Sequence, residues 1–149
     1  MPKSLIYLAN ARIPSERAHS IQIVEMCQAF SDVGLSVTLL VPDRWEPNLQ
    51  AQSASIKQFY GFTPTFKLIK TPVIDLNRFE DYFGPFKSLI YYLQNTSYVL
   101  LLIPKLSCST SLIYSRSRLA ALIFVLLGKQ VVYEAHDRTN HSFFDRYLA

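Results

Sequence analysis

The chain has 149 residues, of which 50% are hydrophobic and 17% charged, and its net charge is +4 at pH 7. This size and composition fit one globular domain with a buried core and exclude a disordered chain. The positive charge suits an anionic ligand or an anionic membrane surface. Nucleic acid is not an expected partner, because the sequence contains no Lys/Arg run and no basic helix face.

Five short apolar runs are predicted to be strands: residues 4–9, 36–41, 66–71, 112–114 and 130–135. Helical periodicity predicts helices between them: residues 16–33, 54–60, 86–94, 97–103 and 118–127, with another opening near residue 140. Ser15 is the expected N-cap of the first helix, Gly34 lies where a helix ends, and Pro42 is expected to end the second strand. The helix over 118–127 is apolar all round and should be covered on more than one side.

The alternation of strands and helices predicts an α/β fold with a Rossmann-like, mostly parallel sheet and helices on both faces. The strand order for a doubly wound sheet is 3-2-1-4-5, which places strands 1 and 4 side by side at the switch point. Strand 3 should then be an edge strand. Loops at the carboxyl ends of the strands form the binding site in such folds. Here these loops contain six candidate side chains: Arg12, Arg17, His19, Arg116, His136 and Asp137.

Several common sites are excluded by their missing motifs. No glycine occurs in residues 1–33, so the first turn is not a dinucleotide-binding loop, and no Gly-Lys-Ser/Thr phosphate loop is present. No His or Cys pair has metal-site spacing, and no Gly-x-Ser-x-Gly elbow indicates a hydrolase. No metal or other cofactor is therefore expected.

The two cysteines, Cys27 and Cys108, favour a reducing compartment, and Cys27 is predicted to be a buried thiol on the apolar side of a helix. No signal peptide is predicted, because the amino terminus leads directly into a strand. The most apolar stretch, residues 98–106, is shorter than the roughly 20 residues that span a bilayer. A cytoplasmic location is expected, and a peripheral position at the inner face of the membrane is left open.

The first loop is positively charged and leads into a helix N-terminus, an arrangement that binds anions. Arg17 and His19 would reinforce such a site, and Arg116 would add charge after strand 4; each could instead be an ordinary surface residue. His136 follows strand 5 between Glu134 and Asp137. Its imidazole could hydrogen-bond a sugar hydroxyl or orient a phosphate, with either carboxylate fixing its tautomer, or it could be structural.

At these residues the chain resembles the amino-terminal domain of family 4 retaining glycosyltransferases, which belong to the GT-B class. The similar segments follow the order of the family: residues 14–22, Gly34 with 37–42, 59–62, 114–116 and 132–137. The resemblance implies that residues 1–149 form the acceptor-side, Rossmann-like half of such an enzyme. That half would be incomplete, without the second domain that binds the nucleotide-sugar.

The resemblance also implies an activity: transfer of a sugar from a nucleotide-sugar, the expected co-substrate, to a sugar or lipid-linked acceptor with retention. It gives His136 the catalytic role of reaching the donor sugar, and it places Arg17 and His19 near the acceptor or the donor phosphates. Arg116 and Asp137 would complete the substrate-binding set. The isolated chain is expected to be inactive. The alternatives are a non-catalytic binding or membrane-docking module, and half of a split enzyme completed by a separate donor-domain chain.

Overall fold

The computed structural model describes residues 4–44, 55–75, 84 and 87–135. Five strands lie in this part of the chain: β1 (Ser4–Leu8), β2 (Ser36–Asp43), β3 (Lys67–Pro72), β4 (Leu112–Ser115) and β5 (Val131–Tyr133). Four helices accompany them: α1 (Ala18–Asp32), α2 (Ile56–Tyr60), α3 (Lys87–Leu106) and α4 (Arg118–Leu126). The helix expected near residue 140 lies outside the described residues.

The five strands form one sheet in the order β3-β2-β1-β4-β5, and every neighbouring pair is parallel. The predicted fold class and strand order are therefore confirmed, with β3 at one edge. Leu8, the last residue of β1, lies opposite Leu40 on one side and Ser115 on the other. The carboxyl ends of β1 and β4 thus meet at the predicted switch point.

The sheet is buried on both faces, each by its own helices. Leu5 and Tyr7 of β1 pack in the core on the side of α1 and α2, and Ile6 and Leu8 pack in the core on the side of α3 and α4. Successive strand residues point to opposite faces, so a strand covered on both sides reads as a continuous apolar run. This is why the sequence of β1 carries no polar alternation.

The start of α1 differs from the prediction. Arg17 takes the N-cap position without a side-chain capping bond, and Ser15 lies outside the helix. The hydroxyl of Tyr60, from α2, accepts a hydrogen bond from the Ser15 amide and donates one to the Ser15 carbonyl, each at 2.8 Å. This tertiary contact fixes the backbone of Ser15 before the helix starts. The predicted end of α1 is confirmed, because Gly34 follows the C-cap with a φ of 91°.

The two helices predicted over 86–94 and 97–103 are one helix, α3, which also includes Pro104. The polar residues at the expected break do not interrupt it, because Thr96 and Ser97 donate their hydroxyl hydrogen bonds to carbonyls of the same helix, at Tyr92 and Gln94. Its last residue, Leu106, is buried in the core, and this packing favours the turn beyond the proline.

Pro42 does not end β2, which continues to Asp43. The carbonyl of Leu40 faces β1, where it accepts a hydrogen bond from the Ala9 amide. The backbone groups of successive residues point alternately to the two neighbouring strands, so residues two apart face the same neighbour. Pro42 therefore also faces the side of β1, which ends at Leu8. The N–H that proline lacks has no strand partner there, so the residue is tolerated.

The cover expected over the whole of α4 is not found in the described part of the chain. Ala120, Ala121 and Phe124 are buried against the sheet, whereas the carboxyl end of the helix region is exposed. β5 is also shorter than predicted, although the Glu134 amide still donates to the Ser115 carbonyl. An apolar sequence thus gives a helix with one buried and one exposed apolar face.

Cys27 should be inert to thiol reagents in the folded protein. Its side chain is fully buried in the core, as predicted, and burial raises the pKa of the thiol to about 12, so the reactive thiolate is scarce at neutral pH. Cys108 is exposed. A disulfide reagent is expected to modify one thiol of the native chain and two after denaturation. The Cys108→Ser variant should show none until it unfolds; rapid native modification of that variant would contradict a buried Cys27.

Candidate functional site

A cleft of about 720 Å³ opens at the carboxyl ends of β1 and β4. Its walls are the loop after β1, the first turns of α1 and α4, and the first half of α3. The described polar and aromatic lining includes Asn10, His19, Tyr92, Asn95, Arg116 and Arg118. Its position is the one that ligands occupy in doubly wound sheets.

Arg116 is a cation of the cleft that other side chains hold in place. Its Nε lies 3.3 Å from Glu134 Oε2, with exposures of 11% and 22% for the two side chains. This contact is a charge pairing without hydrogen-bond geometry at Nε. A terminal nitrogen of the guanidinium donates to the Gln22 side-chain oxygen of α1 at 3.2 Å. The arginine is thus tied to α1 and to the end of β5 while it still lines the cleft.

The carboxylate of Glu134 has two further partners. It accepts hydrogen bonds from the hydroxyls of Tyr7 at 3.4 Å and of Tyr114 at 3.1 Å. Burial first, and then the charge of Glu134, raises the pKa of both phenols, that of Tyr114 to about 12. Both therefore remain protonated donors at neutral pH. In the sequence, Glu134 is one of the two carboxylates that could contact His136. No local spacing in the sequence predicted that these two tyrosines would be its hydrogen-bond donors.

His19 lies in the first turn of α1 and forms part of the cleft wall. Partial burial, followed by the positive charges of Arg17 and Arg116, lowers the pKa of its imidazole. At neutral pH the side chain is therefore mainly neutral and can both donate and accept a hydrogen bond. Arg17 itself is exposed and lies outside the described lining of the cleft.

Two helix N-termini face this cleft, those of α1 and α4. Neither first turn contains an acidic residue, and α1 has no side-chain cap. In α4 the Ser117 hydroxyl accepts from the Ala120 amide at 3.4 Å. Free N–H groups and the helix dipole make such ends favourable for anions. The positive ends of both helices therefore add to the cations in the cleft.

A pair of side-chain amides also lines the cleft. The Asn10 amide nitrogen donates to Asn95 Oδ1, which also accepts from the Arg44 guanidinium at 3.3 Å. Asn10 Oδ1 is buried and has no hydrogen-bond partner within the described part of the chain. A buried acceptor without a donor is costly. This amide pair is therefore suited to a ligand that brings an O–H or N–H group.

Of the six candidate side chains, the structure brings His19 and Arg116 together in the cleft, and it leaves Arg12 and Arg17 outside the described lining. His136 and Asp137 lie outside the described residues. Asn10, Asn95 and Arg44 were missed, because they belong to segments that only the topology brings together.

The described residues contain no group of His, Cys, Asp and Glu side chains arranged to hold a metal ion. None of the helices described is long and apolar enough to cross a bilayer. In the comparisons with known proteins, no family model, curated protein or solved structure matches this chain.

Proposed function

We propose that this domain is the acceptor-side half of a glycosyltransferase, which transfers a sugar from a nucleotide-sugar to an acceptor with retention. The observation that carries the proposal is the cleft at the switch point, which is lined by cations, by two helix N-termini and by a pair of side-chain amides. Phosphate oxygens suit the cations and the helix N-termini, and hydroxyl groups suit the amides. A ligand with both groups is a sugar phosphate or a phosphate-linked sugar.

The partners of Arg116 support a binding role for this residue. Glu134 and Gln22 hold the guanidinium in place before a ligand arrives, so little side-chain entropy is lost on binding. The charge of Glu134 also weakens the attraction for an anion, which favours a weakly held substrate over a permanent ligand. His19, from α1, adds a neutral hydrogen-bonding group beside it.

A non-catalytic sugar-phosphate-binding module is the second candidate. One observation favours it: the described lining of the cleft contains no carboxylate. General acid–base chemistry within this lining would then depend on His19. The two candidates share the same ligand and differ in turnover.

Titration calorimetry on the 149-residue chain tests the shared ligand. Glucose 1-phosphate is expected to bind at least about tenfold more tightly than glucose or inorganic phosphate, which corresponds to about 1.4 kcal/mol. The same weak affinity for all three would contradict both candidates.

A turnover assay then separates the candidates. Nucleotide-sugars and acceptors are incubated with the chain alone and with a separately expressed GT-B donor domain. We expect turnover only in the pair, because both substrates must be held together. Repeated turnover by the chain alone would contradict the half-enzyme, and sugar-phosphate binding without turnover in the pair would favour the binding module.

Binding of a sulfated sugar should strengthen as the pH falls. Protonation of His19 adds a positive charge next to the ligand, and its lowered pKa places this change below the usual value of about 6.5. One such charge should strengthen binding by roughly fivefold between about pH 7.5 and 5. The sulfate does not titrate in this range, so the protein alone sets the profile.

The His19→Gln variant should bind with little dependence on pH. In the Arg17→Gln variant the profile should remain and its midpoint should move to higher pH, because one repelling charge is removed. An unchanged pH profile in His19→Gln would show that another group titrates. The lowered pKa of His19 also makes the stability of the fold depend on pH. As the pH falls below about 6.5, His19 is protonated in the unfolded chain before it is protonated in the folded chain, so the free energy of unfolding decreases.

A further inference from the structure

The excess of positive over negative charge lies in one stretch of the sequence. Residues 82–133 contain five Lys/Arg and no Asp/Glu, whereas the remaining residues contain ten Lys/Arg and eleven Asp/Glu. This stretch includes α3 and α4, which pack together on one face of the sheet. The face formed by α1 and α2 belongs to the part of the chain with almost balanced charge. The α3–α4 layer is therefore cationic and free of carboxylates.

The outer side of this layer is also apolar. On α3, Leu89, Leu93 and Leu100 recur at helical spacing and are each about half exposed or more, and Tyr92 is 66% exposed beside them. The opposite side of the same helix packs Tyr98 and Leu102 into the core. α3 is thus apolar on two sides, one facing the sheet and one facing outward.

The carboxyl end of α4 extends this surface. Val125, Leu126 and Leu127 are exposed, Leu126 at 76%. Lys129 Nζ, three residues past the end of α4, donates to the carbonyls of Ser107 and Ser109, just past the end of α3, so the two helix ends lie together. Leucines flanked by lysines and without carboxylates are characteristic of helices that lie in a membrane interface.

We propose that the α3–α4 layer docks on an anionic lipid bilayer, with α3 lying in the plane of the interface. Leu89, Leu93 and Leu100 enter the boundary between headgroups and acyl chains, and the exposed Lys105 of α3 stays at the level of the headgroups. Tyr91 and Tyr92 belong both to this helix and to the cleft wall. Docking therefore places the mouth of the cleft at the membrane surface. The docking proposal does not depend on which ligand the cleft binds.

The charge of the layer favours a bilayer over a second copy of the chain. A symmetric dimer through this surface would bring two cationic, carboxylate-free layers together, and like charges across an interface are costly. Anionic headgroups instead complement the layer, and each Lys or Arg near the surface strengthens attraction several-fold.

The proposal is tested by co-sedimentation of the full chain with vesicles. One set consists of phosphatidylcholine alone and the other of equal parts phosphatidylcholine and phosphatidylglycerol. At least about fivefold stronger partitioning is expected on the anionic vesicles, and it should fall when salt rises from about 0.1 to about 1 M. Equal partitioning on both sets, or none on either, would overturn the proposal.

Two variants locate the docking surface. Leu93→Glu and Leu100→Glu should each weaken binding to the anionic vesicles roughly tenfold or more. Val33→Glu is the matched control, because Val33 is 77% exposed at the end of α1 on the other face of the sheet. It should bind like the unaltered chain, and thermal unfolding of each variant verifies that the fold is retained. An equal loss in all three variants would overturn the assignment to α3.

Sedimentation velocity without lipid tests whether a second copy of the chain binds this surface instead. The chain is expected to remain monomeric at the concentrations used with vesicles. A dimer that Leu100→Glu dissociates, together with no binding to vesicles, would assign the surface to a second copy and overturn the proposal.

Discussion

Replacing Leu102 with alanine is expected to lower the free energy of unfolding by about 3 kcal/mol. The side chain is fully buried in the core between α3, α4 and the sheet, near Leu8 and Phe124. Removing it loses the burial of the leucine and leaves a cavity that close-packed neighbours fill only in part. Urea unfolding followed by circular dichroism measures the change.

Leu100→Ala is the matched control, two residues earlier in the same helix. Leu100 is half exposed on the outer side of α3, so its loss should change the free energy of unfolding by no more than about 0.5 kcal/mol. The difference between the two losses of stability depends only on which side of α3 faces the sheet. Similar losses from both substitutions would contradict the packing of this helix.

Replacing Arg116 with alanine is expected to affect both stability and binding. Glu134 would keep its two tyrosine donors and lose the charge of Arg116 in a mostly buried site, which should cost about 2–3 kcal/mol. The cleft would also lose its best-positioned charge, so affinity for a sugar phosphate should fall at least about tenfold. Chemical unfolding and titration calorimetry measure the two effects separately.

The Glu134→Gln substitution gives the corresponding double-mutant cycle. In its background Arg116→Ala should cost less stability than in the natural chain, because the neutral amide has no charge for Arg116 to balance. Lys67→Ala is the binding control, since Lys67 is exposed at the start of β3, at the opposite end of the sheet from the cleft. Unchanged stability and affinity in Arg116→Ala would remove this residue from the site.

The proposed sugar-phosphate site and the proposed lipid-docking surface use different parts of α3. The inner side of α3 anchors it to the sheet, where Tyr98 donates a hydrogen bond to the Leu40 carbonyl. Its first half forms a wall of the cleft, and its outer leucines form the proposed lipid-docking surface. A lipid-linked acceptor would approach the cleft along this helix. The vesicle and sugar-phosphate experiments read the two properties independently.

The sheet order and most of the helices and strands could be predicted from the amino-acid sequence. Strands and helices alternate along the chain, β1 and β2 are mainly apolar, and Gly34 lies where α1 ends. These signals are local, because they depend on periodicity, turn chemistry and the burial of both sheet faces. Once the order is known, the carboxyl ends of β1 and β4 must form the crevice, so His19 and Arg116 could be placed there before the structure was known.

Which side chains contact one another could not be predicted, because these contacts join residues far apart in the sequence. Tyr7 and Glu134 are 127 positions apart, Asn10 and Asn95 are 85, and Ser15 and Tyr60 are 45. No periodicity links such residues, since their distance depends on strand register and on how each helix crosses the sheet. The same reason explains the uncapped start of α1, because Tyr60 of α2 holds the backbone of Ser15. In α3 the expected break at Asn95 is absent, because Thr96 and Ser97 hydrogen-bond within the helix and Leu106 packs in the core.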